Sequence, residues 1–524
     1  MNKIKVLEVN NIDLLGRRFN GYDMIQDISD ETIEVKQAVI HKMSSNDKVV
    51  KILKNKNQEI IHAIFDGIEK ENSIHNIYSI TTPALFKLPE YQEADIIHFH
   101  MFHNTKLSLF SLIKIAKEKK VVISLHDPWF LTGRCVHFLS CDNWQTGCQN
   151  CPDLHSLFPF DKDNCSELWN LKKYIFDNID IDLVLPSNWM LNLIKKSPIF
   201  ENQKNYFKIP FGIDVNKFAK ISYESARKEL DIKSNEIVLF FRAQNEFKGT
   251  QYIIEALKEL ETDRKITLLT CDNKGLISEL ENKYRIIELG KINDDKMIVA
   301  MNSCDIFLMP SIGESFGMMA IEAMACAKPI IVFNNSALPS VTHAPECGYL
   351  VNDRDSKDLM KAIAELVNNK KERQRRGTLA KQIAIEEYQL EKYNQNIKDM
   401  YVKVMERTHK DIKRQPPEKD LVNENNFKDY LNKLNIRIFS KDKELIKKLT
   451  YDVDKSYLDK KKKINYEDIN IQEILEEYLI KLEDITTKTS KIKARNLIQR
   501  FMFFLLYDRE ILIEKVLNRL KKKD

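Results

Sequence analysis

The chain has 524 residues, 43% hydrophobic and 30% charged, with a formal net charge of +5. That length exceeds one ordinary domain, that apolar share suffices for real cores, and so mild a charge argues against a nucleic-acid partner. The charge is uneven: residues 411–524 hold 27 Lys and Arg against 21 Asp and Glu, a basic appendage on a near-neutral body.

The chain begins MNKIKVLEVN, which alternates like a strand and lacks a signal-peptide layout. No apolar run of about 18 residues is present to span a membrane. A cytoplasmic protein is therefore expected, where paired disulfides are uncommon. Residues 3–10 read as the first buried strand, and the loop NIDLLGRRFNGYDM follows with Gly16, Asn20 and Gly21. IEVKQAVI, ADIIHFHMF, KKVVISLHD and IDLVLPSNWM are further strands, with helical spacing in SLFSLIKIAKEKK. Alternation of strand and helix argues for a parallel sheet covered on both faces, with ligands beyond the carboxyl ends of its strands. His126, Asp127, His98, His100 and Ser187 sit at such ends. His98 and His100 share one strand face by the two-residue period.

Four cysteines crowd the loop after His126: Cys135, Cys141, Cys148 and Cys151, the last two as C-x2-C. Their spacing fits tetrahedral thiolate zinc, which would staple a long loop, but the first interval is C-x5-C and unusual for a zinc ribbon. An iron–sulfur cluster, free structural thiols and disulfides stay open. Residues 205–218, NYFKIPFGIDVNKF, are punctuated by Pro210 and Gly212 and read as the crossing to a second unit.

There the alternation restarts: IVLFFRAQ, KITLLTC, YRIIELG, DIFLMPS, PIIVF and GYLVN as strands, QYIIEALKEL as a helix. Arg242 and Lys248 stand at a strand end just before a helix start and suit a diphosphate, one as a bidentate fork and one as a compact charge. Residues 308–327, LMPSIGESFGMMAIEAMACA, follow the same plan. A strand ends at Pro310, a turn carries Glu314, and FGMMAIEAMACA reads as a helix from Phe316 onward bearing Glu322. If that interval were helical throughout, its eight steps would span about 12 Å, roughly a diphosphate with a sugar at each end. The helix start at Phe316, Gly317 and Met318 would offer free N–H groups and a positive dipole to phosphate. Residues 388–407 form a closing helix. Beyond them HKDIKRQPPEKD is a polar linker, and two stretches with helical spacing follow in a region without glycine. They suit a small helical domain packed on the enzyme or on a second copy, or a basic amphipathic helix at a membrane surface.

Glu314-SFGMMAI-Glu322 resembles the E-x7-E signature of retaining GT-B glycosyltransferases, most closely glycosyltransferase family 4. KPIIVFNNSALPSV, GYLVNDRDSKDLMKAI and the I-P-x-G-I-D-x-x-x-F run of the crossing continue the likeness, which covers roughly residues 1–408. The resemblance implies an α/β GT-B fold: two Rossmann-like doubly wound domains facing a cleft, 1–210 on the acceptor side with a Cys-rich insertion at 130–155, and 211–408 binding a nucleotide sugar. The helical extension is 409–524. It also implies roles. Gly21, with Asn20 where the family often has a second glycine, would cover the donor phosphates. His126 would lie beside the donor sugar. Arg242 and Lys248 would hold the diphosphate, Glu314 the donor sugar, Glu322 the ribose, and the backbone near Ile292 the base. Similar HDxWxxTGxC…CxxCP insertions occur in polysaccharide-building members. The expected activity is transfer of a hexose-like unit from a UDP- or GDP-sugar to a saccharide or lipid-linked acceptor, without a metal at the donor site. The competing reading is a non-catalytic scaffold binding nucleotide, or a partner through its tail. A sugar phosphorylase and a donor-hydrolysing epimerase are further options, whereas a NAD dehydrogenase is disfavoured because no G-x-G-x-x-G follows the first strand.

Overall fold

The computed structural model describes residues 3–408, apart from 55–57, 60, 61, 63–65, 68, 71, 78, 80, 157, 158, 245 and 274. The expected helical extension over 409–524 lies outside the described residues. Seven parallel strands build the first sheet: β1 (Ile4–Ile12), β2 (Ile33–His41), β3 (Val49–Lys51), β4 (Ile96–His100), β5 (Lys120–Ser124), β6 (Asp182–Leu185) and β7 (Tyr206–Lys208). Their order is β3-β2-β1-β4-β5-β6-β7. Six parallel strands build the second: β8 (Ile237–Arg242), β9 (Ile266–Cys271), β10 (Arg285–Glu288), β11 (Ile306–Met309), β12 (Ile330–Phe333) and β13 (Tyr349–Val351), in the order β10-β9-β8-β11-β12-β13. The central strands of the second sheet are near-continuous apolar runs because helices cover both faces of a parallel sheet, whereas β1 and β4 of the first carry buried Glu8, Asn10, His98 and His100. Two strands were not anticipated. β3 is three residues long, and β7 occupies the start of the stretch read as a crossing.

The direction of connection reverses between β1 and β4 in the first sheet and between β8 and β11 in the second. A crevice opens at each such reversal. Alternation along the strands sets the faces: Leu7, Ile97 and Val121 join one apolar cluster, Val6, Ile96 and Val122 another. The second cluster also takes in Phe307, Ile321, Tyr401 and Val404, so one core spans both lobes. The helix Leu390–Glu406 makes this junction, as expected of a closing helix packed back on the first lobe. Lys398 reaches Asp30 at 2.8 Å, and Arg407 reaches Asp180 and Asp182 at 2.6 and 2.8 Å. Gly212 lets the crossing pass close to that returning segment, since a Cβ there would lie 2.7 Å from Tyr393 Cβ.

Candidate functional site

Three strand ends of the second lobe converge. Arg242 closes β8, and its Nε and Nη2 meet Asp272 Oδ2, just past β9, at 3.0 and 2.8 Å. The turn after β8 packs against the turn after β11: Ile312 N–H donates to the Phe247 carbonyl at 2.9 Å, and a Cβ on Gly249 would sit 1.9 Å from the Pro310 carbonyl oxygen. Gly249 therefore must lack a side chain for this contact, and its φ of +70° suits glycine as well. The packing brings Lys248 Nζ to 2.7 Å from Glu314 Oε2. Lys248 and Glu314 are thus paired between the two turns, while Arg242 pairs with Asp272 at the end of β8.

The helix itself is shorter than expected. It runs Met318–Ala325 with Gly317 as N-cap at φ +100°, so Glu314–Phe316 form a turn and the interval to Glu322 is not helical throughout. The 12 Å estimate for a continuous helix therefore does not apply to these two glutamates. Phe316 is 4% exposed, and its ring packs edge-on against Phe211 and Tyr388 at 5.2 and 5.8 Å. Its side chain belongs to the core. The turn also carries the buried hydroxyls of Ser311 and Ser315, which have no hydrogen-bond partner among the described residues. Sequence reasoning passed over both serines, although unpaired buried hydroxyls beside a helix start suit an anionic ligand.

Glu322 is 4% exposed, and burial raises its carboxyl pKa against the pull of Arg18. Arg18 comes from the loop after β1, on the other lobe. It pairs with Glu322 through Nη1 and with Asp294 through Nη2 at 2.8 Å. Lys217 shares Asp294 at 3.2 Å. Ile292, two residues before Asp294, is half-buried beside this group. Arg18 was visible in the sequence only as part of an RR pair; nothing local could say which acid, on a distant segment, it would meet.

The loop after β1 is held by Asn20. Its Nδ2 donates to the carbonyls of Ile12, Asp13 and Leu15 at 2.7–3.0 Å, and its Oδ1 accepts from Tyr22 N–H. Asn20 is fully buried and structural rather than a phosphate contact. Gly21 has φ +87° and lies on Glu8: a Cβ would be 2.8 Å from the Glu8 carboxylate. Ser187 caps the helix Asn188–Lys196 and donates through Oγ to the Ser315 carbonyl at 2.9 Å, a second tie between lobes.

At the carboxyl ends of β4 and β5 the histidines meet. His126 Nε2 is 2.9 Å from His100 Nδ1, and His100 Nε2 is 2.7 Å from Glu8 Oε2. His98 bridges Tyr401 and Ser124 at 2.6 and 2.8 Å, and Tyr401 OH donates to Glu8 Oε1 at 2.6 Å. Glu8, His98 and His100 are fully buried. Burial works against the charge on Glu8, but the facing histidines hold its carboxyl well below the usual range. Burial pushes His100 down to about 4 and His126 well below its ordinary value.

Glu8, His98 and His100 are also the described group whose ligand atoms all lie within 4.8 Å of one another, the spacing a metal ion would need. Every one of those atoms already serves a hydrogen bond. No three of the Cys135, Cys141, Cys148 and Cys151 sulfurs lie within 4.8 Å of one another, and beside Cys151 stands Cys165, a fifth thiol that the motif did not include. Cys151 and Cys165 are joined through Asp163, whose carboxylate accepts from both backbone N–H groups at 2.7 and 3.2 Å. Gly133 N–H donates to Cys148 Sγ at 3.2 Å. Burial raises the Cys135 thiol to about 11 and the Cys148 thiol to about 12. The same loop reaches the second lobe, where His137 lies against Phe247 at 5.8 Å and 3.0 Å from a Cβ built on Gly313. It therefore borders the Glu314 turn.

Residues 222–383 match the family described as glycosyl transferases group 1. Among curated relatives, a glycosyl transferase of Escherichia coli named for colanic acid biosynthesis is 23% identical over 269 residues, 47% of this chain and 61% of that one. The chain thus spans about three fifths of that relative's length. An N-acetyl-alpha-D-glucosaminyl L-malate synthase of Bacillus anthracis is 26% identical over 376 residues, covering 66% of this chain and 89% of that one. HepE of Anabaena, solved with UDP and glucose, superposes with a TM-score of 0.51 at 16% identity, covering 76% of this chain and 99% of that one. The fold is GT-B.

Proposed function

We propose that this GT-B protein is a retaining glycosyltransferase that moves a sugar from a UDP- or GDP-sugar to a saccharide or lipid-linked acceptor, in building cell-surface polysaccharide. The observation that carries the reading is the pair Lys248–Glu314 at 2.7 Å, in the turn that leads into the Met318 helix, with Arg242 at the end of the strand that precedes Lys248. In the reaction the acceptor hydroxyl oxygen bonds to the anomeric carbon as the bond from that carbon to the diphosphate oxygen breaks. The departing diphosphate takes the hydroxyl proton on the same face. Arg242, Lys248 and the N–H groups at Phe316, Gly317 and Met318 stabilise its growing charge, the term that usually dominates such catalysis. These fixed charges stand where other transferases use a divalent cation. Glu314 holds a donor-sugar hydroxyl, His126 lies beside that sugar, and Glu322 takes the ribose once Arg18 yields it. Gly21 admits the phosphates, and the backbone at Ile292 holds the base.

HepE was solved in complex with UDP and glucose, which favours UDP for the donor here. The B. anthracis relative is named for a glucosaminyl transfer and the E. coli one for a surface polysaccharide, which favours a saccharide product. The acceptor is met at the cytoplasmic membrane face, with the basic extension 409–524 supplying membrane contact or self-association. Cys135, Cys141, Cys148 and Cys151 are the thiols that would hold a structural zinc, with Gly133 N–H donating to the Cys148 sulfur; metal analysis of the purified protein checks this. A screen of UDP-, GDP- and ADP-sugars, followed by thermal stabilisation and donor hydrolysis, tests the main reading. Stabilisation without any hydrolysis would instead favour a nucleotide-binding scaffold.

A further inference from the structure

Glu8, His98, His100 and Ser124 lie on one face of the first sheet, the face that also carries Val6, Ile96 and Val122. Glu8 pairs in register with His98, and His100 with Ser124. The closing helix covers this face and lowers Tyr401 into it. With Glu8 ionised and His100 neutral, the hydrogen bonds among these groups allow one placement of protons, in which the His100 Nε2–H serves Glu8 although the Phe19 carbonyl also lies beside the His100 ring. An ionised carboxylate only accepts. His100 Nε2, 2.7 Å from Glu8 Oε2, therefore carries a hydrogen. A neutral His100 then has a bare Nδ1, so His126 Nε2, 2.9 Å away, must donate to it. On the other branch Tyr401 gives its proton to Glu8 Oε1 and accepts from His98 Nδ1–H, while His98 Nε2 accepts from the Ser124 hydroxyl. Burial keeps His100 and His126 neutral near pH 7.

The chain of donors ends on one atom. His126 Nδ1 is buried, bare and without a hydrogen-bond partner among the described residues. Its ring cannot turn freely to exchange the two nitrogens. It is hydrogen-bonded edge to edge with His100, centroids 5.1 Å apart, and lies near-parallel to Phe211 at 5.4 Å, with Phe19 at 5.8 Å. Phe211 in turn meets Phe316, which places the ring at the junction of the lobes beside the Glu314 turn.

We propose that Glu8, acting through His100 and locked by Tyr401, is a positioning residue that holds His126 as its Nε2–H tautomer, so that its Nδ1 accepts a hydrogen bond from a hydroxyl of the transferred sugar. This rests on the donor-site reading above. It makes a carboxylate on the first strand, and a tyrosine on the last helix, set the polarity of a contact to the substrate. Docking of the closing helix thereby becomes a condition for a correctly oriented His126.

Two measurements on the full chain decide it. In protein labelled with 15N at histidine, two-bond 1H–15N correlations report each ring's tautomer, with His126 assigned from the His126→Asn variant. His126 is expected to be neutral with a protonated Nε2 in the wild type, and to populate both tautomers in Glu8→Gln and in Tyr401→Phe. A wild-type Nδ1–H or cationic ring, or a single unchanged tautomer in both variants, overturns the proposal. In the second measurement, hydrolysis of the nucleotide sugar found by the donor screen should fall about tenfold in Glu8→Gln and in His126→Asn. The double variant should fall no further, because both changes remove one contact; multiplied losses would overturn it. If the chain hydrolyses no donor at all, the transferase reading fails while the spectra still judge the relay.

Discussion

At the carboxyl end of the first sheet Glu8, His98 and His100 are fully buried, and each polar atom is spent on a neighbour. At the same end of the second sheet Arg242 and Lys248 keep 37% and 26% of their side chains exposed, each holding one carboxylate. The difference is one of exchange. A buried, mutually satisfied network cannot give up a partner without leaving a charge unpaired in a medium of low polarity. A water-facing ion pair contributes little and can trade its carboxylate for a phosphate at small cost. The Glu8 network of the first sheet is thus fixed, whereas the Arg242 and Lys248 pairs of the second are exchangeable.

Changes on the two sides should fail in different ways. The largest effect expected is on turnover: Lys248→Ala and Glu314→Gln should each lower it by about a hundredfold or more, with thermal midpoints near wild type. Steady-state rates with the donor from the screen, beside melting curves, check this. Next, Glu8→Ala should cost about 3 kcal/mol of stability by stranding two histidines and a tyrosine, as urea unfolding would read. Asp272→Asn, which frees the exposed Arg242, should cost less than about 1 kcal/mol in the same assay.

The third effect is a pH dependence with a definite sign. His100 titrates at about 4 in the folded chain and Glu8 is also depressed, so the unfolded chain binds these protons first. Stability is therefore full above the ordinary histidine value of 6.5, and is lost as pH falls toward 4. Melting temperatures measured between those limits should drop, and drop at least as steeply in Glu8→Gln, because Glu8 itself holds the His100 value up. A smaller change is expected of Arg18→Ala. It removes the cation that Glu322 and Asp294 share across the cleft and should alter nucleotide affinity several-fold, by calorimetry with UDP or GDP. Smallest for the chemistry is truncation after residue 408, which should leave donor hydrolysis unchanged while lowering association with anionic liposomes.

The layered fold and most of the second-lobe site could be read from local pattern. Apolar runs of four to eight residues mark buried parallel strands, and the Arg242, Lys248 and Glu314 positions follow such runs at once, so a strand end delivers each of them. Two readings missed through short-range detail. β3 and β7 are three residues each, too brief for periodicity to register. The helix expected from Phe316 starts at Met318, because Gly317 adopts a left-handed conformation and the Phe316 ring turns into the core.

What the amino-acid order determined alone was therefore the set of strands, their parallel layering and the charged groups at their ends, since all of these depend on residues near each other in the chain. Only the tertiary structure decided which acid each base would meet. Arg18 finds Glu322 across 304 residues and Tyr401 finds Glu8 across 393. Those pairings depend on where the closing helix and the first-strand loop come to rest, and no local pattern carries that distance.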